Sequence, residues 1–334
     1  MSTYKLAVDQ IIQKINTLDA KITLLQFPEG LKTYATRIAE EIEQSTKTHV
    51  IISADPCYGA CDILPDRILE IADLVVHYGH TPLPLNYKKP TLFIEAYSRA
   101  DVYEAIDKAL LLLKDKQKIV LATTTQHLHI IDEVKDYLDD QGKEIIIKKG
   151  KSTRKGQVLG CNFSSIKKTQ ADAYLFIGSG TFHALGIQLF TKKPTIIADP
   201  YRQEAYDIED FADRTLRIRF AKIVAASEAK SWGILVSTKE GQYRMSLALK
   251  ISKTLRKLGH KTQIITINNF HPDALLPFTD IDAFIVTACP RIAIDDASMY
   301  NKPLITPQEL EIITKKREWE NYQLDEIIFE DAYK

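Results

Sequence analysis

The sequence has few cysteines, no surplus of charge of either sign and no long apolar run. Four cysteines in 334 residues are too few for a disulfide scaffold, so metal binding, catalysis and burial are the alternatives. Lys plus Arg and Asp plus Glu both number 44, which gives the protein no overall electrostatic drive towards nucleic acid or membrane. Because the chain has neither a signal-peptide core nor a membrane-spanning stretch, we expect a cytoplasmic protein without membrane contact or sequence-specific binding to nucleic acid.

What the sequence does contain is a threefold repeat. Short apolar strands alternate with segments of helical periodicity, and the same order of elements occurs three times. Asp73, Asp172 and Asp282 each open a strand and are 99 and 110 residues apart. The prolines of three Lys-Pro strands recur 104 and 109 residues apart. This spacing predicts an α/β protein, with three related α/β domains whose mainly parallel sheets surround a pseudo-threefold central cleft.

The three predicted domains each contain one cysteine of interest. We place the boundaries at 1–100, 101–206 and 207–334, which assigns Cys61, Cys161 and Cys289 to successive domains. Cys61 and Cys161 lie 12 and 11 residues before the repeated aspartate, and Cys289 lies seven residues after it. Ligands of parallel sheets bind outside the carboxyl ends of the strands, where these loops are expected to meet. The three thiolates are therefore predicted to hold an iron–sulfur cluster with one coordination position free.

Cys57 has no counterpart in the other two units and is predicted to be buried or to support the site indirectly. A structural zinc held by all four cysteines is the alternative that the residues leave open. The spacing of Cys57 and Cys61 also begins the ordinary radical S-adenosylmethionine motif, but the third nearby cysteine of that motif is absent.

Further site residues are predicted on turns that follow strands and beside the last cysteine. Helix starts after such turns can bind a carboxylate. The candidate cofactor-binding residues are Gln26, Glu29, Gly30, Gly178, Ser179, Gly180, Thr181, Gln242 and Asp295. His80 and His183 are candidate proton acceptors, and the alternative, which is the more common case for a histidine in such a loop, is a structural role. Arg291 and Asp295 either orient a substrate or pair with each other.

Four motifs carry a resemblance to a known family. They are Gln26-Phe27-Pro28-Glu29-Gly30-Leu31, Cys57-Tyr58-Gly59-Ala60-Cys61-Asp62, Gly156-Gln157-Val158-Leu159-Gly160-Cys161 and Cys289-Pro290-Arg291-Ile292-Ala293-Ile294-Asp295. Together they resemble the diphthamide-synthesis enzymes, and among these the archaeal 2-(3-amino-3-carboxypropyl)histidine synthases, essentially from end to end.

The resemblance implies a homodimer of three-domain subunits, each with one 4Fe-4S cluster. The family's ligand in the first cysteine motif corresponds to Cys61, and the other two motifs contribute Cys161 and Cys289. Such enzymes take S-adenosylmethionine as co-substrate and, with an electron from a donor, break the bond between its sulfur and Cγ. They transfer the 3-amino-3-carboxypropyl group to C2 of a histidine in translation elongation factor 2, which is the first step of diphthamide biosynthesis.

Two charged segments are candidates for contacts with other proteins. The basic run of Lys148, Lys149, Lys151, Arg154 and Lys155 lies before Cys161, and it is either a solvated loop or a docking site for the elongation factor. The polar tail from Arg317 to Lys334 is a candidate for a dimer contact, with little support from its sequence.

Two other functions remain open. A quinolinate-synthase-like dehydratase or condensing enzyme also gathers three cysteines between three related domains, and it uses the open iron as a Lewis acid. A zinc-stabilised binding protein has no catalytic activity at all.

Overall fold

The chain forms three α/β units in succession, as the computed structural model of residues 3–329 shows. The first unit contains α1 (Val8–Leu18), β1 (Ile22–Gln26), α2 (Ala35–Ser45), β2 (His49–Ile52), α3 (Asp66–Leu69), β3 (Leu74–Tyr78) and β4 (Thr91–Ile94). The second contains α4 (Tyr103–Leu112), β5 (Lys118–Thr123), α5 (Ile131–Asp140), β6 (Glu144–Ile146), β7 (Ala173–Ile177), α6 (Phe182–Thr191), β8 (Thr195–Asp199) and β9 (Glu204–Asp207). The third contains α7 (Glu209–Ser227), β10 (Ser231–Ser237), α8 (Met245–Lys257), β11 (Lys261–Ile267), β12 (Ala283–Val286), α9 (Pro290–Ile294), β13 (Leu304–Ile305) and α10 (Pro307–Ile313).

Each unit forms one sheet, and the first four strands of the unit have the same order in all three; the second sheet has β9 in addition. The sheets run β2-β1-β3-β4, β6-β5-β7-β8-β9 and β11-β10-β12-β13. All neighbouring strands are parallel except β8 and β9, which pair antiparallel. The predicted mainly parallel α/β fold is therefore confirmed. The domain boundaries stay a prediction, and the outermost residues 1–2 and 330–334 lie outside the part of the chain that the structure describes.

Apolar side chains cover both faces of every sheet. Residues that alternate along a strand belong to different cores; in β1, Leu25 packs on one side and Leu24 on the other. The second and third sheets likewise separate two clusters of buried apolar residues. Because both faces of each sheet are buried, the strand sequences are nearly continuous apolar runs, as is typical of parallel sheets covered by helices. No helix among residues 3–329 is both long enough and apolar enough to cross a lipid bilayer.

The repeated aspartates hold the starts of the first strands. Asp73 accepts hydrogen bonds from the backbone N–H groups of Lys21 (2.8 Å) and Ile22 (2.9 Å), which begin β1. Asp172 makes the same pair of bonds at the start of β5, at 3.1 and 2.8 Å, and Asp282 makes them at the start of β10, both at 2.9 Å. These bonds lower the pKa of each carboxyl group. The feature by which the repeat is visible in the sequence thus has one structural role in all three units.

The chain after α10 returns to the first two units. Tyr322 packs into the core of the second sheet. Ile327 and Phe329 pack in a small apolar cluster that Cys61 and Cys161 also contact, and the Ile327 N–H donates a 2.8 Å hydrogen bond to the Cys161 carbonyl. The tail considered above for a dimer contact therefore packs, as far as residue 329, against the cysteine loops of its own chain. The remainder lies beyond the described residues.

Candidate metal centre

A cavity of about 580 Å³ lies where the three units meet. Its volume is in the range of sites for small molecules and cofactors. Loops that follow strands of all three sheets line it, so it occupies the carboxyl-terminal edge at which parallel sheets bind ligands.

Cys61, Cys161 and Cys289 all lie on the wall of this cavity. Cys61 follows β2, Cys161 lies in the loop between β6 and β7, and Cys289 directly precedes α9. All three thiols are free and partly buried. The structure thus brings together the three cysteine loops that the sequence predicts to converge, one from each sheet.

The three thiols are near enough to interact electrostatically. Burial raises the pKa of Cys161 to about 12 and that of Cys289 to about 11. Burial, the Asp62 carboxylate and the other two thiols together raise the pKa of Cys61 well above its usual range. Since the charged form is disfavoured here, thiolates form in this cavity only with a cation that offsets their charge.

The spacing of the three cysteines is wider than a single ion requires. Zinc with thiolate ligands at 2.3 Å places neighbouring sulfur atoms about 3.8 Å apart. Within residues 3–329, the Cys, His, Asp and Glu side chains whose ligand atoms all lie within 4.8 Å of one another are Cys57, His77 and His80, and not the three cavity cysteines. A cluster of several metal ions fits this trio better than one zinc ion does. The four-thiolate zinc site also lacks its fourth ligand, because Cys57 faces imidazoles.

A turn of the third unit fixes the Cys61 loop. Gly241 lies in the short 3-10 helix after β10, and its N–H donates to the Cys61 carbonyl at 3.3 Å. A Cβ atom at Gly241 would lie 2.5 Å from both the Cα and the Cβ of Cys61, so only glycine permits this approach. The buried Gln242 amide donates to the Cys61 sulfur and accepts from the Cys289 N–H, both at 3.3 Å. One side chain therefore joins the cysteine loops of the first and third units.

Both candidate histidines line the cavity. Burial lowers the pKa of His80 and of His183 to about 4, so both imidazoles are neutral at pH 7. His80 Nδ1 lies 2.9 Å from Nε2 of the buried His77. Cys57 is 1% exposed, which agrees with the burial predicted for it.

The candidate cofactor-binding residues divide into two groups. Gln242 and Asp295 line the cavity, and Asp295 accepts a 2.7 Å hydrogen bond from Arg291 on the same wall. Arg291 and Asp295 therefore pair with each other, which is one of the two predicted alternatives. Because the pair lies on the cavity wall, a ligand in the cavity can also contact it. The binding roles of both residues stay predictions.

The other candidates do not belong to the described lining of the cavity. Gln26 is buried behind the Cys61 loop, where its amide donates to the Asp62 carbonyl at 2.8 Å. Glu29 is exposed and pairs with Lys32. The remaining five are Gly30, which lies in the short 3-10 helix Glu29–Tyr34 after β1, and Gly178, Ser179, Gly180 and Thr181, which lie on the turn before α6. Their binding roles also stay predictions.

Several lining residues escaped the sequence reasoning. Thr124 and Gln126 follow β5, and residues 268–271 follow β11. The repeat contains a signal for Gln126, because Glu29, Gln126 and Glu240 are each the third residue after the first strand of their sheet. The polar segment after β11 has no comparable signal.

The basic run ahead of Cys161 is partly engaged within the chain. Arg154 forms an ion pair with Glu95 at 2.5 Å, and Lys155 forms one with Asp132 at 2.6 Å. The pair of Lys155 with Asp132 is exposed, and exposed ion pairs contribute little stability. The docking role of the run stays a prediction.

The comparisons with known proteins agree over nearly the whole chain. A model of the diphthamide synthesis protein family matches residues 27–323. A 2-(3-amino-3-carboxypropyl)histidine synthase from Pyrococcus horikoshii is 37% identical over 332 residues, which cover 97% of this chain and 94% of that protein. A protein of the same name from Methanocaldococcus jannaschii is 31% identical over 350 residues, which cover 98% of this chain and 94% of the relative.

Solved structures give the same result in three dimensions. Crystal structures of Dph2 from Pyrococcus horikoshii, one of them with a 4Fe-4S cluster, match this chain with a TM-score of 0.90 at 36% identity. The match covers 97% of this chain and 94% of the crystallised one. All three units and their cysteine loops therefore fall within the matched region.

Proposed function

The chain belongs to the family of diphthamide synthesis proteins, and from that premise we propose that it transfers the 3-amino-3-carboxypropyl group of S-adenosylmethionine to C2 of a histidine in translation elongation factor 2. The observation that carries this proposal is the meeting of three free cysteines, one from each sheet, on the wall of one cavity. The reaction is the first step of diphthamide biosynthesis.

The proposed ligands of a 4Fe-4S cluster are Cys61, Cys161 and Cys289. Three protein ligands leave one iron of such a cluster with an open coordination position. A bound cluster would supply the electron that breaks the sulfur–Cγ bond of the co-substrate. The chain's own contribution is to gather the thiols in a partly buried place. Gln242 holds two of the three loops together there.

For S-adenosylmethionine we place the amino-acid end beside Arg291 and Asp295. The charges of the co-substrate are complementary to this pair, because its carboxylate can pair with Arg291 and its ammonium group with Asp295 on the cavity wall. Substitution at C2 of the target histidine by the resulting carbon radical releases one proton and returns the electron that the cleavage consumed, so the overall transfer is redox-neutral. His80 and His183 are neutral, so each offers a free lone pair that can accept it.

The remaining partners rest on the family. Homodimer formation and an external electron donor are proposed by analogy with the family's chemistry, and we propose the cytoplasm as the place where the elongation factor is met. The basic run before Cys161 adjoins the cavity loop and is proposed as a docking surface for the factor.

The reaction itself is the first test. Protein reconstituted without oxygen and reduced with dithionite is expected to convert S-adenosylmethionine and the elongation factor to methylthioadenosine and a modified histidine, detected by mass spectrometry. Formation of 5′-deoxyadenosine instead would contradict the proposed bond cleavage. Turnover of small substrates without S-adenosylmethionine or reductant would favour the dehydratase.

The ligand assignment has its own test. Cys61→Ala is expected to lose at least about tenfold in cluster iron and sulfide, because one of only three protein ligands is removed. Cys57→Ala is the matched control and is expected to keep the cluster's absorption and paramagnetic resonance spectra. The reverse result would overturn the assignment, and zinc without acid-labile sulfide in the unaltered protein would remove the cluster altogether.

A further inference from the structure

A second group of metal-ligating atoms lies behind the Cys61 loop. Cys57, His77 and His80 each offer one ligand atom, and these atoms all lie within 4.8 Å of one another. Cys57 and His77 are buried, and His80 is half-buried on the cavity wall. The group contains none of the three cysteines assigned to the cluster.

The distances suit a single ion. Nε2 of His77 lies 2.9 Å from Nδ1 of His80 and 3.8 Å from the sulfur of Cys57. Tetrahedral zinc with nitrogen ligands at 2.0–2.1 Å and a thiolate at 2.3 Å requires about 3.3 Å between two nitrogens and about 3.6 Å between nitrogen and sulfur. The two distances from His77 Nε2 therefore need to change by only a few tenths of an ångström, and the Cys57 sulfur and the His80 ligand atom lie within 4.8 Å of each other.

The surroundings fix His77 in the form that can bind a metal. The Gln26 amide nitrogen donates to the Asp62 carbonyl at 2.8 Å, so its oxygen must face His77. That oxygen lies 2.9 Å from Nδ1 of His77 and can only accept, which places the proton on Nδ1. The lone pair of Nε2 is consequently directed towards Cys57 and His80. An imidazole whose other nitrogen donates to a fixed acceptor is the usual arrangement of a metal-bound histidine.

We propose that Cys57, His77 and His80 bind a divalent ion that prefers thiolate and imidazole ligands, of the Zn²⁺ class, as a site separate from the cluster. Binding releases one proton, from the Cys57 thiol to solvent. His77 keeps its Nδ1 proton. The Nδ1–H of His80, which donates to the lone pair of His77 Nε2 at 2.9 Å, loses its proton while Nε2 of His80 takes one up from solvent, and this frees Nδ1 of His80 for the metal. The fourth ligand is water or a molecule in the cavity that His80 lines. This assignment leaves His183 as the proton acceptor of the transfer reaction.

The test removes the competing site. The full chain with Cys61, Cys161 and Cys289 all replaced by serine is purified free of metal and titrated with Co²⁺. We expect one equivalent to bind with the visible bands of tetrahedral cobalt and a thiolate-to-cobalt charge-transfer band, and Zn²⁺ to displace it. Adding Cys57→Ser or His77→Ala to this background is expected to abolish the bands. Adding His183→Ala, which changes another cavity imidazole, is expected to retain them.

A measurement on the protein with its cluster covers the case in which the triple variant does not fold. Metal analysis of the holoprotein is expected to find one zinc or cobalt beside the cluster iron, and Cys57→Ser is expected to lose that ion while keeping iron and sulfide. A folded triple variant that binds no Co²⁺ would overturn the proposal. So would cobalt bands that survive both Cys57→Ser and His77→Ala, or a Cys57→Ser holoprotein that loses its iron.

Discussion

The two edges of the three sheets differ in how strictly they repeat. At the amino-terminal edge, Asp73, Asp172 and Asp282 each accept two backbone hydrogen bonds at the start of the first strand. At the carboxyl-terminal edge the units carry different side chains in matching places; the position after the third strand holds His80 in one unit and Cys289 in another. The repeated edge stabilises the fold, and the varied edge contains the site. Substitutions at the two edges should therefore have separable effects.

The largest effect is expected from Gly241→Ala at the varied edge. The new Cβ would lie 2.5 Å from the backbone of Cys61, and overpacking of this kind costs about 1–3 kcal/mol. Displacement of the Cys61 loop relieves the clash, so we expect cluster iron to fall about tenfold while the sheets stay folded. Iron and sulfide analysis together with circular dichroism measures both properties.

Gly30→Ala is the matched control for this substitution. Gly30 occupies the corresponding turn after β1, and a Cβ there meets no atom within 4 Å. The iron content of the Gly30→Ala variant is expected to equal that of the unaltered protein. Equal iron content in both variants would show that the contact between Gly241 and Cys61 does not position the loop.

A smaller effect is expected from Gln242→Leu, which has a similar volume but no donor. The Gln242 amide donates to the Cys61 sulfur, and such a donor stabilises the more negative, reduced state of a cluster. Its loss should lower the one-electron reduction potential by about 30–60 mV, which is roughly a threefold to tenfold change in the redox equilibrium. Potentiometric titration followed by paramagnetic resonance, without S-adenosylmethionine, measures the shift.

Gln126→Leu provides the comparison for Gln242→Leu. The Gln126 side chain also lies on the cavity wall, but it donates to the Gly79 carbonyl instead of a cysteine sulfur. The reduction potential of the cluster in the Gln126→Leu variant is expected to equal that of the unaltered protein. Identical potentials in the two variants would exclude a specific effect of the Gln242 hydrogen bond on the cluster.

The smallest effect is expected at the repeated edge, from Asp73→Asn. The hydrogen bonds lower the pKa of Asp73 in the folded protein below its unfolded value near 3.9, so the carboxylate stabilises the fold above that pH and the contribution is lost as the pH falls through the folded pKa. Because the group is exposed, we expect the midpoint of thermal unfolding at pH 7 to fall by about 2 °C or less.

The pH dependence distinguishes this mechanism from a general loss of packing. The difference between the unaltered protein and Asp73→Asn should narrow between pH 5 and pH 3, measured by thermal unfolding, while the cluster spectrum at pH 7 stays the same. A difference that is constant over this interval would mean that the charge of Asp73 does not act at the strand start. A triple variant that combines Asp73→Asn, Asp172→Asn and Asp282→Asn should show a larger fall in the midpoint of thermal unfolding at pH 7 than Asp73→Asn alone.

The sequence was sufficient for the features that lie within one repeat. The spacing of the aspartates predicted three similar sheets, and the positions of Cys61, Cys161 and Cys289 relative to those aspartates predicted their edge. Both inferences use only the alternation of strands and helices, which short-range apolar periodicity determines. The mainly parallel topology followed from the same alternation and is confirmed.

Contacts between repeats could not be predicted from the sequence, because they depend on how the folded units pack against one another. The approach of Gly241 to Cys61 joins residues of different sheets and leaves no mark in the spacing of either unit. The metal-ligating group of Cys57, His77 and His80 was likewise missed as a group, since its members come from a loop and from the end of β3. The path of the chain after α10 has no periodicity to read, and only the structure shows Ile327 bonded to the Cys161 loop.

That last contact has a consequence for biosynthesis. During translation, domains fold as they emerge, and Cys61 and Cys161 leave the ribosome long before residues 322–329 do. A nascent chain of which only the first two units have been synthesised lacks both Cys289 and the segment that packs behind the other two cysteine loops. Assembly of the complete metal site therefore requires the third unit and the segment after α10, and chains truncated just before Tyr322 should retain all three thiols but lack part of the apolar packing behind Cys61 and Cys161.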